Sequence, residues 1–355
     1  MDRHSMTKSG KDVLTIAGES ISPGERKQLN IPVAHLYDFT LMTIPVEIIR
    51  GKKPGPCLFV SAAIHGDELN GVEIIRRLLS QKYLSRLRGT LIAVPIVNVY
   101  GFNTRSRYLP DRRDLNRSFP GTEKGSMASQ LAQTFMKEIV SKCTHGIDFH
   151  TGAIHRSNLP QIRAYLDNEE TLELAKSFHV PVVLHSDLRD GSLREAVRDM
   201  DIPVLLFEGG EALRYNERAI KSGLQGVRAV MRKIGMLPKI KSSGTKKNHE
   251  SYVSRRSYWV RSPHSGILNM RHFLGRRVKR GERLANIGDP FGHESVPVKA
   301  KAGGIIIGAS TLPLVNEGDA IFHIATFDDA DSVEEQVGLY HESLIDDDDN
   351  IDWRE

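Results

Sequence analysis

Pro56-Cys57-Leu58-Phe59-Val60-Ser61-Ala62-Ala63 is a short continuous apolar run, the pattern of a β-strand buried on both faces. It leads through His65-Gly66-Asp67-Glu68 into an amphipathic segment from Leu69 to Leu79. There Val72, Ile75, Leu78 and Leu79 fall on one side, which predicts a helix packed on that strand. The same alternation continues outward. Buried strands are expected at Thr90–Pro95, Gly146–Phe149, Val182–Leu184 and Val204–Phe207, and helices at Met127–Val140, Thr171–Phe178 and Asn216–Ile234. Strand alternating with helix implies an α/β domain with a largely parallel sheet. Ligands in such sheets sit at the carboxyl ends of the strands, and His65, His150 and Glu208 each fall there.

Upstream, residues 1–55 read as leading strands and turns, with β-branched runs at Pro32–Leu36 and Leu41–Ile49. Residues 56–238 hold the alternating domain. Residues 239–257 are polar and basic, and Lys241-Ser242-Ser243-Gly244-Thr245-Lys246-Lys247-Asn248 reads as a linker. From 258 to 327 short strands punctuated by glycine indicate a small all-β module similar to the barrel-sandwich fold of biotinyl and lipoyl carrier domains. Lys299 and Lys301 lack the hairpin setting of a modified lysine, so neither biotin nor lipoate is expected. Residues 328–355 carry twelve acidic residues and one basic one, the pattern of a solvated disordered tail.

The overall charge of +5 therefore hides a body of about +16. Its arginines are scattered, and several flank the motifs discussed below, where a small anionic substrate would use them; nucleic acid is not the expected partner. Two cysteines make no disulfide framework. Neither an apolar signal segment nor a run of about 20 apolar residues is present. A cytoplasmic protein with no membrane partner is expected, and self-association is left open.

His65 and Glu68, three residues apart at a strand-to-helix junction, turn to the same side of a first helical turn. With His150 they make a two-histidine, one-carboxylate set. Hydrolytic zinc enzymes use such sets and leave one position open for water, though cobalt and manganese would also be accepted. Asp148, two residues before His150, is a candidate to orient that imidazole. Glu208 ends the apolar Val204-Leu205-Leu206-Phe207 and precedes Gly209-Gly210, a setting suited to a general base beside a metal.

His65-x-x-Glu68, Asn98 with Gly101-Phe102, Arg107-Tyr108, Asp114-Leu115-Asn116-Arg117-Ser118-Phe119-Pro120-Gly121, Asp148-Phe149-His150-Thr151-Gly152 and Phe207-Glu208-Gly209-Gly210 together resemble the succinylglutamate desuccinylase/aspartoacylase family. The match runs across most of residues 55–215. The resemblance implies a zinc-carboxypeptidase-like mixed sheet flanked by helices, with a small C-terminal all-β barrel. It further implies one zinc per chain on His65, Glu68 and His150, with Glu208 as general base and proton shuttle. Asn116 and Arg117 would hold a substrate carboxylate, and Arg107 would polarise the scissile carbonyl. The segment from Tyr108 to Arg113 is longer than the resemblance leads one to expect, so Arg105, Arg112 and Arg113 compete with Arg107 for that role. The expected activity is hydrolysis of the amide bond of a small N-acylated amino acid or related carboxylate-bearing amide. The alternatives are a metallocarboxypeptidase releasing a C-terminal residue such as glutamate, and a ligand-binding protein with an inactive site.

Overall fold

The computed structural model describes residues 13–239 and 250–346. The N-terminal polar segment, the stretch 241–248 expected as linker and the aspartates from 347 on lie outside the described residues.

β1 (Leu14–Ile16) and β2 (Glu19–Ile21) form a separate antiparallel pair. β3 (Arg26–His35) and β4 (Leu41–Arg50) follow, then β5 (Lys53–Ala62), α1 (Asn70–Leu79), β6 (Arg88–Val94), α2 (Val99–Thr104) and α3 (Met127–Glu138). The chain continues through β7 (His145–Gly152), β8 (Arg156–Ala164), α4 (Glu169–Lys176), β9 (Val182–His185), α5 (Leu193–Arg198), β10 (Val204–Glu211) and α6 (Glu217–Lys233). The C-terminal part contains β11 (Tyr252–Ser254), β12 (Arg256–Arg261), β13 (Gly266–Met270), β14 (Arg277–Val278) and β15 (Arg283–Gly288). It ends with β16 (Ser295–Lys299), β17 (Gly304–Ser310), β18 (Leu314–Val315), β19 (Ala320–Thr326) and α7 (Ala330–Asp346).

One mixed sheet organises the molecule, in the order β3-β4-β6-β5-β7-β10-β8-β17-β19-β12, with β9, β11 and β14 joined at its side. β6, β5, β7 and β10 are mutually parallel, and β8 runs antiparallel to β10. Because side chains alternate along a strand, Leu58, Val60 and Phe149 face α1 and α6, where Ile75, Val227 and Val230 cover them. Phe59 points the other way, into a cluster with Leu131 and Phe135 of α3 and Leu193 of α5. The sheet is thus buried on both faces, as the uninterrupted apolar strands require.

The C-terminal strands are fused to this sheet. β17 hydrogen-bonds along β8, so β12, β14, β17 and β19 extend the main sheet while β13, β15, β16 and β18 form a second, antiparallel one. The pairing covers an edge of β8 that would otherwise expose unpaired amides. Residues 252–254 and 256–257, inside the stretch 239–257 read as a linker, belong to strands β11 and β12.

The expectation of a solvated tail is corrected for its first half, where 330–346 is helix α7. Its acidic composition hides an apolar stripe, Val333, Val337, Tyr340 and Leu344, at helical spacing and fully buried. Tyr340 Oη hydrogen-bonds Ser222 Oγ of α6, and Lys221 Nζ donates to the Leu344 carbonyl at 3.2 Å. No helix among the described residues is long and apolar enough to cross a membrane.

Candidate metal centre and substrate site

β5 ends at Ala62, and the chain turns sharply through Ala63, whose φ of 53° is left-handed. Gly66 then passes so close to α2 that a Cβ would lie 1.9 Å from the Gly101 carbonyl carbon, so only glycine fits. This turn delivers His65 and Glu68 just ahead of α1. Asn70 anchors the start of that helix to the end of β10: its Nδ2 donates to the Gly209 carbonyl at 3.0 Å, and its Oδ1 accepts from the Asn216 amide at 3.0 Å.

His150 comes from the end of β7, and the three side chains converge with ligand atoms all within 4.8 Å of one another. His65 Nδ1 lies 2.8 Å from Glu68 Oε1, His150 Nδ1 lies 2.8 Å from Glu68 Oε2, and the two Nδ1 atoms are 3.2 Å apart. All three residues are buried. The opposite nitrogen of each ring meets a carboxylate: His65 Nε2 is 3.1 Å from Asp114 Oδ1, and His150 Nε2 is 2.7 Å from Asp148 Oδ2. With the ring proton given to these Nε2-side acceptors, both Nδ1 lone pairs would face inward. Two buried lone pairs and a carboxylate aimed at one point require positive charge between them, so the donor set fits a metal ion.

The electrostatics agree. Burial alone would lower both imidazole pKa values, but Glu68 and Asp114 beside His65, and Asp148 and Glu68 beside His150, outweigh it and raise them. Burial likewise opposes ionisation of Glu68, yet the two histidines hold its carboxyl well below the usual range. Asp114 is held low in the same way by His65 and Arg107, against its own burial.

Two rows of residues in register cross the sheet beside this centre. Ser61, Asp148, Leu206 and Arg163 align across β5, β7, β10 and β8; His150, Glu208 and Gln161 form the next row. Ser61 Oγ donates to Asp148 Oδ1 at 2.8 Å, fixing the carboxylate that backs His150. Glu208 therefore stands directly beside His150 on the neighbouring parallel strand. Asn158 Nδ2 donates to its Oε2 at 2.8 Å, and Arg163 Nη1 lies 3.6 Å from its Oε1.

Arg107 donates to Glu68 Oε1 at 3.3 Å and to Asp114 Oδ2 at 3.1 Å, at the rim of the centre. Its sequence competitors Arg105, Arg112 and Arg113 are exposed, and none has a hydrogen bond to the three converging side chains. Asn116 is buried, with Oδ1 accepting from the Leu193 amide at 3.0 Å. Arg117 is exposed and folds back to donate to the Asn116 carbonyl.

Sequence reasoning missed the arginines on the far side. Arg163, Arg189 and Arg194 interact electrostatically with one another and with Glu208. Arg194 is half-buried, and desolvation, with Arg163 and Arg189 nearby, pushes its pKa down to about 10. Its Nη atoms donate to the Ser186 carbonyl and Oγ at 3.1 and 3.2 Å. Two signals were available. Gln161 and Arg163 alternate with apolar residues, marking a polar face of β8. Ser192-x-x-Glu195 has the sequence of a helix N-terminus, and Ser192 Oγ caps α5 by accepting from the Glu195 amide at 3.3 Å, which starts a helix at Arg194's position.

Known proteins share this plan. Residues 54–234 match the succinylglutamate desuccinylase/aspartoacylase catalytic domain. Over 301 residues the chain is 28% identical to an N-alpha-acetyl-L-2,4-diaminobutyric acid deacetylase from Halomonas elongata, covering 79% of this chain and 85% of that relative. The product-bound structure of the ectoine utilization protein EutE (DoeB) from Ruegeria pomeroyi superposes with a TM-score of 0.77 at 24% identity, spanning 90% of this chain and all of the other. A succinylglutamate desuccinylase/aspartoacylase structure from Rhodobacter sphaeroides gives 0.76 at 22%, spanning 86% and 96%. At these identities the structures establish the shared fold, a mixed α/β sheet flanked by helices with a C-terminal region of antiparallel strands. The domain match spans just over half of the sequence and carries the assignment: this chain belongs to the succinylglutamate desuccinylase/aspartoacylase family.

Proposed function

We propose that the protein is a zinc-dependent hydrolase that cleaves the amide bond of a small N-acylated amino acid bearing a carboxylate. The observation that carries this reading is the convergence of His65, Glu68 and His150 beside Glu208, at the edge of an arginine cluster. The 3.2 Å between the two Nδ1 atoms is close to the separation of about 3.3 Å that two nitrogens take on a tetrahedral zinc with bonds of about 2.0–2.1 Å. The deacetylase relative supports the reaction class.

His65, Glu68 and His150 would hold the ion, with Asp114 and Asp148 orienting the rings. Zinc, when bound, supplies Lewis acidity that polarises an amide carbonyl and lowers the pKa of a water to about 7. Glu208 takes the proton from the attacking water and passes it to the departing amine nitrogen. Arg107, held in place by Glu68 and Asp114, brings positive charge to the oxygen that becomes anionic in the transition state. Arg194, half-buried and with no carboxylate in hydrogen-bond contact among the described residues, is matched by a substrate carboxylate, and Arg189, Arg117 and the Asn116 amide extend that anion-binding wall.

The test measures metal per chain by elemental mass spectrometry, together with hydrolysis of N-acetyl and N-succinyl amino acids and of short peptides. Wild type should carry about one zinc per chain and hydrolyse acyl-amino acids in preference to peptides. His65→Ala and His150→Ala should lose both metal and activity. Absence of metal after zinc is offered would sink the reading.

A further inference from the structure

β8 contains Pro160, which has no amide proton to give to a ladder. Near it the pairing of β10 with β8 shifts by one residue: Glu208 pairs with Gln161, but Gly210 pairs with Asn158. Strict alternation would send residues 158 and 161 to opposite faces. The shift lets Asn158 join Gln161 on the Glu208 side, the kind of re-aiming for which bulges beside active sites are known. Its amide then donates to Glu208 Oε2 at 2.8 Å.

Asn158 is also where the C-terminal strands touch the site. Its cross-strand partner on β17 is Gly308, and β17 has a register shift of its own between Ile306 and Gly308. A Cβ on Gly308 would lie 2.9 Å from Asn158 Oδ1. Glycines therefore flank the amide on both neighbouring strands, Gly210 and Gly308. Asn158 is buried, and its Oδ1 has no hydrogen-bond partner among the described residues, so its bond to Glu208 and the adjacent β17 backbone fix its orientation.

We propose that Asn158 is a positioning residue that holds the Glu208 carboxylate in its working rotamer, and that the C-terminal strands take part in catalysis by leaving room for that amide at Gly308. The inference rests on the reading of Glu208 as the group that moves the proton. A carboxylate Oε2 can only accept, so the amide's NH2 must face it, and an isosteric acid at 158 cannot take over the contact when both groups are ionised. Losing the contact frees Glu208 to rotate without removing it, which lowers kcat and leaves substrate binding largely intact.

The experiment uses the full-length zinc-loaded protein above neutral pH, with kcat, KM, metal content and Tm measured for each variant. Asn158→Ala and the isosteric Asn158→Asp should each lower kcat about 10- to 100-fold with little change in KM and with zinc retained. Gly308→Ala, which pushes the amide aside, should lower kcat by a smaller factor. Gly303→Ala, where the added Cβ makes only an ordinary contact 3.4 Å from the Val278 carbonyl, should leave kcat unchanged. In the Asn158→Ala background, adding Gly308→Ala should cost less than it does alone, because Asn158 Oδ1 is gone and only the 3.2 Å approach to His323 Cβ remains. Wild-type kcat in either Asn158 variant, or fully additive losses in the double variant, would overturn the proposal. Glu208→Gln, run in parallel, separates the two ideas: if it retains full kcat the general-base reading fails, and if it is inactive while the Asn158 variants are normal only the positioning role fails.

Discussion

Three buried histidines lie about the site, and the protein shifts the pair His65 and His150 in the opposite direction to His323. His65 and His150 are raised because, against the pull of burial, carboxylates surround them: Glu68, Asp114 and Asp148. His323, on β19, is lowered to about 3 because burial is joined by Arg163, Arg156 and Arg189. The first region gathers negative charge around inward-facing nitrogens and suits a cation. The second gathers guanidinium groups and leaves Arg156 Nε, Arg163 Nε and Gln161 Oε1 without partners among the described residues, a setting that suits an anionic substrate. Glu208 lies on the seam, beside His150 on one side and Asn158 and Arg163 on the other. The contrast suggests how one pocket can hold a metal ion and a carboxylate without the two exchanging places.

The seam is where a substitution should matter most. Glu208→Gln preserves size and leaves the cation side untouched, so zinc content should stay at the wild-type level while kcat falls about 10²- to 10⁴-fold. Loss of metal in this variant would show that the two regions are not separable. On the anion side, Arg194→Ala should raise KM for a carboxylate-bearing substrate about 10- to 100-fold, the scale of one charged hydrogen-bonded contact, with a smaller change in kcat. A fall in kcat at unchanged KM would instead place Arg194 at the reacting centre. On the cation side, Asp148→Asn keeps the shape but removes the charge backing His150, and should weaken zinc binding about 10- to 100-fold in a chelator competition. Unchanged affinity would mean that Ser61 and Asp148 serve packing alone.

The converging His65, Glu68 and His150 were legible in the sequence, and Arg163, Arg189 and Arg194 were not, for a physical reason. A metal site needs several ligands of restricted type at strand ends, so His65-x-x-Glu68 and Asp148-x-His150 stand out from apolar strands even without a structure. The arginine cluster is assembled from single residues far apart in the chain, 163 on β8, 189 and 194 around α5, and no local pattern ties them together. The course of the sheet was readable from apolar runs, whereas the fusion of β17 to β8 depends on edge pairing, which leaves little trace in composition. α7 was misread because its net charge dominates its composition, while the four buried positions that fold it appear only when residues are counted at helical spacing.

A last prediction concerns stability rather than turnover, and it probes the arginine side without substrate or metal. An unfolded chain protonates His323 near 6.5, whereas the folded protein resists until about pH 3, because burial and the arginines oppose a further positive charge. Between those values the unfolded state binds the extra proton, so stability falls as pH falls. The contribution is fully present above about 6.5 and is lost toward 3. His323→Gln cannot titrate, so its loss of stability relative to wild type should shrink with acidification, by at most about 1.4 kcal/mol per pH unit. Denaturant unfolding at several pH values checks this. Protonation of Glu68, Asp114 and the metal-side histidines affects both proteins and cancels in the difference. Ser257 Oγ, 2.9 Å from His323 Nε2, supplies a pH-independent offset because a glutamine there changes that hydrogen bond at every pH. A difference between the two proteins that stays constant from pH 7 to pH 4 would mean that His323 is not held neutral by its surroundings, and the opposition between it and the pair His65 and His150 would fail at the arginine end.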